Sequence, residues 1–315
     1  MIRRTIEVSS GPARLSIRNR QLVIQREGQQ PITVPAEDIG LLLVDHQAVT
    51  YTHAVFTALA EAGAALVLCG GEHLPSSLMM PLAANTVQTE RFAAQIAAGA
   101  PLKKQLWRQI VAAKLTLQAA VLKAASGSDG GLRAMARRVR SGDPDNLEAQ
   151  AAQRYWPRLF GHTFRRGRDG EPPNNLLNYG YMALRAAVAR ALCAAGLLPT
   201  LGIHHRNRYN AFCLADDLME PYRPFVDLKV FELVRYDVAP PRLGRDEKAH
   251  LLGLFNHSVR IDGRKTPLLL ALHTAAASLA RSFAERRAQL LMPEGLFAAI
   301  SEREEAKVSD VPTGL

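Results

Sequence analysis

A chain of 315 residues, 48 % of them apolar, can bury one large core or two smaller ones, and its formal net charge of +10 favours a polyanionic partner, nucleic acid first and an anionic membrane surface second. A spanning helix is excluded, because the most apolar stretch, residues 268–280, is too short and carries His273. The opening Met1-Ile2-Arg3-Arg4-Thr5 lacks the apolar run of a secretory signal, and three widely spaced cysteines (Cys69, Cys193, Cys213) form no disulfide framework, so a soluble cytoplasmic protein is expected, with no membrane partner.

The first eighty residues read mainly as strands. Apolar runs on either side of Arg18-Asn19-Arg20 predict a hairpin over residues 14–25 with Asn19 at its turn. Pro31-Ile32-Thr33-Val34 and Gly40-Leu41-Leu42-Leu43-Val44 predict two further strands. Residues 51–62 carry helical spacing (Val55, Leu59), the apolar run 64–69 suits a buried strand, and Gly70-Gly71 marks a break. Beyond Pro81 alanine, leucine and arginine dominate, and Ile110, Ala113, Leu117 and Val121 recur at helical intervals. Residues 126–131 separate two helices, residues 165–170 form a basic flexible loop, and the chain after Ser301 reads as a frayed tail. The expected fold is α+β: a strand-rich N-terminal domain over residues 1–80, a larger all-α domain over 81–300, and a tail over 301–315.

The chemistry-bearing residues lie in the second part. Glu148 opens a helical run, where a glutamate ordinarily sits in solvent and favours the helix dipole. His204 and His205 follow Gly202 on a loop. They could be polar loop residues, or with Cys213 a zinc site, although their spacing matches no common zinc pattern. Asp217 and Glu220 stand three apart, so on a helix both could serve one cation, or Asp217 could be an N-cap with Glu220 reaching back to it. Arg133, Arg137, Arg138 and Arg140 precede Glu148, and Arg165, Arg166 and Arg168 follow it, two clusters suited to phosphate contacts.

Three segments carry a resemblance. Glu148-Ala149-Gln150-Ala151-Ala152-Gln153-Arg154-Tyr155-Trp156 is similar to the glutamate helix of the CRISPR adaptation integrases, the "Cas one" endonuclease family. Asn174-Asn175-Leu176-Leu177-Asn178-Tyr179-Gly180-Tyr181, running on to Gly202-Ile203-His204-His205, is similar to that family's helix and Gly-x-x-His segment. Asp217-Leu218-Met219-Glu220-Pro221-Tyr222-Arg223-Pro224 resembles its acidic motif in the form found in type II systems, with glutamate at Glu220 where other members carry aspartate.

The resemblance implies an enzyme that inserts new spacer DNA into a repeat array, a 3′-hydroxyl attacking a phosphodiester. It implies that Glu148, His205 and Glu220 act as catalytic metal ligands for Mg²⁺ or Mn²⁺, with Asp217 as a neighbouring acid. It implies double-stranded DNA as partner, a homodimer formed through the strand-rich domain, and assembly with the small "Cas two" protein. Two other readings stand beside it: a general metal-dependent nuclease of branched DNA, and a basic DNA-binding scaffold whose acidic residues are structural.

Overall fold

The computed structural model describes residues 3–71, 75–81, 84–167, 169–235, 240 and 243–296. Arg168 and the tail 301–315 lie outside them.

The N-terminal part folds because its apolar residues alternate or run together at strand length. Its strands are β1 (Arg4–Val8), β2 (Ala13–Arg18), β3 (Gln21–Gln25), β4 (Ile32–Pro35), β5 (Ile39–Val44) and β6 (Val49–Tyr51), followed by helix α1 (His53–Glu61), β7 (Ala65–Cys69) and β8 (Pro75–Met79). The hairpin expected at Asn19 is β2–β3. Asn19 and Arg20 both adopt positive φ (51° and 59°), the geometry of a two-residue turn whose twist matches the paired strands. The helix expected from residue 51 starts at His53, because Tyr51 is drawn into β6 to pair with Leu15.

Two four-stranded sheets result, ordered β4-β3-β2-β6 and β1-β5-β7-β8. In the second, β1, β5 and β7 are parallel and β8 closes the edge antiparallel. All six residues of β5 are buried, as a parallel strand covered on both faces requires. Leu42 and Val44 point into a small core with Leu15, Leu22, Val55 and Leu59, while Leu41 and Leu43 point into the large helical core.

That larger core gathers α2 (Gln88–Ile96), α3 (Ala100–Ser126), α4 (Leu132–Arg138), α5 (Leu147–Phe160), α6 (Asn174–Ala194), α7 (Cys213–Met219), α8 (Arg223–Val234), α9 (Arg245–Leu252) and α10 (Leu268–Ala284). The expected apolar spacing at Ile110, Leu117 and Val121 belongs to α3, which stops where Gly127 takes a left-handed φ of 78°. The α+β layout holds in outline, but the second part is largely rather than wholly helical. An antiparallel hairpin, β9 (Ser258–Ile261) and β10 (Arg264–Pro267), turns at Asp262-Gly263, both at positive φ.

Central α6 is buried along most of its length and packs against α7, α8 and α10. Its approach to α8 is so close that a Cβ on Gly180 would collide with the Val226 side chain. Among the described residues, no helix is long and apolar enough to cross a membrane.

Candidate functional site

The site is assembled by α3, the first turn of α5, the loop 202–205 and the chain from α7 into a 3₁₀ turn at Glu220–Tyr222. Glu148 stands in the first turn of α5. That turn is fixed by Asp143, whose carboxylate accepts the backbone N–H groups of Leu147 (2.9 Å) and Glu148 (3.0 Å) and so satisfies donors the helix leaves open.

Glu148 is not the solvated residue its position alone suggests. Lys114, on the buried face of α3, brings its ammonium nitrogen within 2.6 Å of Glu148 Oε1 and within 2.6 Å of Glu220 Oε2. Arg223 Nε lies 3.0 Å from the other Glu220 oxygen. Burial opposes the charge on Glu220, yet Arg223 and Lys114 hold its pKa below the ordinary value. Burial opposes the Lys114 ammonium too, and Glu220 and Glu148 outweigh it to raise the lysine's pKa.

The N-cap role open to Asp217 is not the one it takes. Asp217 lies inside α7, fully buried, and faces the loop 202–205. Its Oδ2 accepts the backbone N–H of Ile203 (2.5 Å) and His204 (2.9 Å), and its Oδ1 accepts that of His205 (3.2 Å). The same Oδ1 is 2.6 Å from His205 Nδ1. An acceptor-only carboxylate assigns the Nδ1 proton and turns the lone pair of a neutral imidazole to Nε2, the arrangement in which a carboxylate orients a metal-binding histidine. The hydrogen bond to Asp217 raises the His205 pKa against the opposing effect of burial. The loop also explains Gly202, since a Cβ there would strike the His205 carbonyl oxygen and crowd Asp217 Oδ2 at 3.0 Å.

His204 is used differently. Its ring stacks on Trp107 with centroids 4.1 Å apart and planes 3° from parallel. Cys213 donates its thiol to the carbonyls of Asn207 and Asn210. The zinc arrangement of His204, His205 and Cys213 is therefore not formed.

Beneath the carboxylates lies a group that sequence reasoning passed over. Asp227 of α8 is buried and accepts hydroxyl hydrogen bonds from Tyr155 of α5 (2.9 Å) and Tyr181 of α6, tying three helices together under the site. Burial pushes its carboxyl up to about 6 against those hydrogen bonds. Arg223 lies 4.8 Å over the Tyr181 ring and Arg166 lies 5.2 Å from the same ring. The signal for Lys114 was present in the sequence, as it falls on the apolar stripe between Ile110 and Leu117, where a charge requires a buried partner.

The arginine clusters divide. Arg133, Arg137 and Arg138 are exposed, while Arg140 is held in a bidentate pair with Asp145 (3.0 and 2.7 Å). Arg165 donates to the carbonyls of His162 and Phe164, and Arg166 to the side-chain amides of Asn174 and Asn178, so these two arginines are anchored at the start of the segment expected to be flexible. Two clefts adjoin the site. One, of 600 Å³, is lined by Arg166, Tyr181, Arg185, Met219 and Arg223. The other, of 380 Å³, is lined by Lys103, Lys104, Trp107, His204 and Arg206.

Residues 6–250 match the family model described as CRISPR associated protein Cas1. The chain is 39 % identical over 295 residues to the CRISPR-associated endonuclease Cas1 of Neisseria meningitidis serogroup C, covering 92 % of this chain and 96 % of that one. The chain belongs to the Cas1 family. In fold it is similar to a casposase bound to an integration product (TM-score 0.76, 18 % identity, 99 % of each chain). It is also similar to a chain of a Cas6-RT-Cas1–Cas2 complex (TM-score 0.70, 17 % identity, 91 % of this chain and 35 % of that one). As a Cas1 family member it presents Glu148 and Glu220 on one cation and an oriented His205 beside them.

The donor set fits Mg²⁺ or Mn²⁺ in kind: two carboxylates and one imidazole with a directed lone pair. Both oxygens of buried Glu220 are already paired with cations, Oε2 with Lys114 at 2.6 Å and Oε1 with Arg223 at 3.0 Å. Among the described residues, no three His, Cys, Asp or Glu side chains already converge as a ready-made metal cluster, and between the two glutamates stands Lys114.

Proposed function

We propose that the protein is a metal-dependent DNA integrase and endonuclease that inserts spacer DNA into a repeat array. The observation that carries the reading is the convergence of Glu148 and Glu220 on one point beside an imidazole held by Asp217. The endonuclease identity of the Neisseria relative and the integration product held by the casposase support it.

Each residue has a part that its position supports. Glu148, His205 and Glu220 are the groups that would hold Mg²⁺ or Mn²⁺, and such an ion supplies charge neutralisation and Lewis acidity to phosphodiester chemistry. Asp217 positions His205 and keeps its Nε2 unprotonated for ligation when the ring is neutral. Asp143 fixes the turn that presents Glu148. Lys103, Lys104 and Arg206 along one cleft, and Arg166 along the other, would attract phosphates of double-stranded DNA, while Arg185 and Arg223 are paired with Asp216 and Glu220. Exposed Tyr209, with Arg208 4.6 Å from its ring, offers a face on which a nucleotide base can stack. The chain would work as a homodimer assembled with Cas2, and the Cas6-RT-Cas1–Cas2 complex, in which a chain of this fold stands with Cas2, supports the second partner.

The test replaces Glu220 with alanine and measures strand transfer into a repeat-containing plasmid with Mn²⁺, alongside thermal unfolding. Loss of transfer in a folded variant is expected. Full transfer by that variant rejects the role of Glu220, and equal action of the wild type on branched DNA would move the reading to a general nuclease.

A further inference from the structure

The ammonium of Lys114 sits where it touches one oxygen of Glu148 and one of Glu220, at 2.6 Å from each, with its side chain 11 % exposed. Arg223 completes the set at 3.0 Å, so two carboxylates already face two cations. A divalent ion held by the same two carboxylates would compete for the space the ammonium fills. It would also face an uncompensated like charge in a largely buried site, where screening is weak.

We propose that Lys114 is a resident counter-ion of this site, which a divalent cation must displace, and that displacement couples metal loading to DNA. The inference rests on the metal reading above and adds its regulation. Without DNA the cluster is self-neutralised and gains little by admitting a dication. A DNA phosphate brings negative charge to the site, and the ammonium, on a flexible four-carbon stem, can turn from the carboxylates to a phosphate oxygen. DNA then tightens metal binding, and by reciprocity metal tightens DNA binding. Elsewhere Lys248 is placed against Asp45 and Lys229 against Glu232.

The experiment uses the full chain and Mn²⁺ alone as probe, followed by calorimetry and by thermal unfolding. Lys114→Gln removes the charge, Lys114→Met removes it with the stem's bulk kept, and Lys114→Arg retains it. In the absence of DNA, the two neutral variants should bind Mn²⁺ on the order of tenfold tighter than wild type, and Lys114→Arg no tighter. Addition of duplex DNA should tighten Mn²⁺ binding in the wild type and do so less in the neutral variants. Mn²⁺ should also raise the unfolding temperature of the neutral variants more than that of the wild type, because the ion takes over the role of the missing ammonium. Should a neutral variant be unfolded when purified, Mn²⁺ should restore its fold.

Equal or weaker Mn²⁺ binding by a folded neutral variant overturns the proposal, as does a neutral variant that Mn²⁺ neither stabilises nor refolds. A Glu148→Gln/Glu220→Gln double variant separates the two levels. If it binds Mn²⁺ as the wild type does, the metal reading itself fails. If it loses Mn²⁺ while Lys114→Gln matches the wild type, only the role of Lys114 fails.

Discussion

Asp217→Asn is the sharpest test of how the loop carrying His205 is held. The substitution is nearly isosteric but turns one acceptor oxygen into an N–H₂ donor. With the amide oxygen at the Oδ2 position, the bonds from Ile203 and His204 survive. At the Oδ1 position the new donor faces the His205 backbone N–H, while the neutral ring can move its proton to Nε2 and accept at Nδ1. One donor orphaned costs about 1–3 kcal/mol. The His205 side chain is 41 % exposed, so water recovers part of the loss and the lower half of that range applies, about 1–2 kcal/mol. For a chain of this size that is a fall of roughly 2–4 °C in unfolding temperature. Because the hydrogen bond to Asp217 is the main reason the His205 pKa is raised, the pKa should drop toward its ordinary value in the variant. Scanning calorimetry reads the first effect and proton NMR titration of the His205 ring the second. An unfolding temperature and a titration both unchanged from wild type would refute the claim that this carboxylate builds and orients the loop.

Two further outcomes follow from other parts of the molecule. Burial, then Arg190 and Arg3, push His273 down to about 4 from 6.5. The unfolded chain therefore takes up this proton at a higher pH than the folded one, and the stability due to the neutral ring is present above pH 6.5 and lost as pH falls through 4. Denaturant unfolding between those limits should show about 3 kcal/mol less pH dependence in His273→Gln than in wild type, and parallel curves would refute the assignment. Exposed Arg133, Arg137 and Arg138, replaced together by glutamine, should leave stability within about 0.5 kcal/mol. The slope of log affinity for duplex DNA against log salt should fall by about 0.9 per phosphate contact removed, and an unaltered slope takes these arginines out of the interface.

Local signals carried much of the fold. The turn at Asn19 and the apolar run in β5 are written in adjacent residues, so they were legible. β8 was not, because Pro-Ser-Ser-Leu-Met has little apolar alternation and owes its strand form to the edge of β7. The hairpin β9–β10 did carry an Asp-Gly turn signal at Asp262-Gly263, but charged flanks at Arg260, Arg264 and Lys265 hid it in a helix-rich region. At the site, motif context singled out Glu148, His205 and Glu220. The partners that set their charge, Lys114, Arg223 and Asp227, come from separate helices whose meeting no short spacing encodes. The arginine clusters were legible as charge only, since whether each guanidinium is spent internally, as Arg140 is on Asp145, depends on the folded surface.

Adjacent residues of β5 report to different interiors: Leu41 and Leu43 to the helices, Leu42 and Val44 to the small core against the first sheet. A slip of one residue along β1 or β7 would hand every one of these side chains to the wrong interior at once, so two independent packings veto the same error. The strand thus acts as a shared spine, and misalignment in either half of the molecule is corrected by the other.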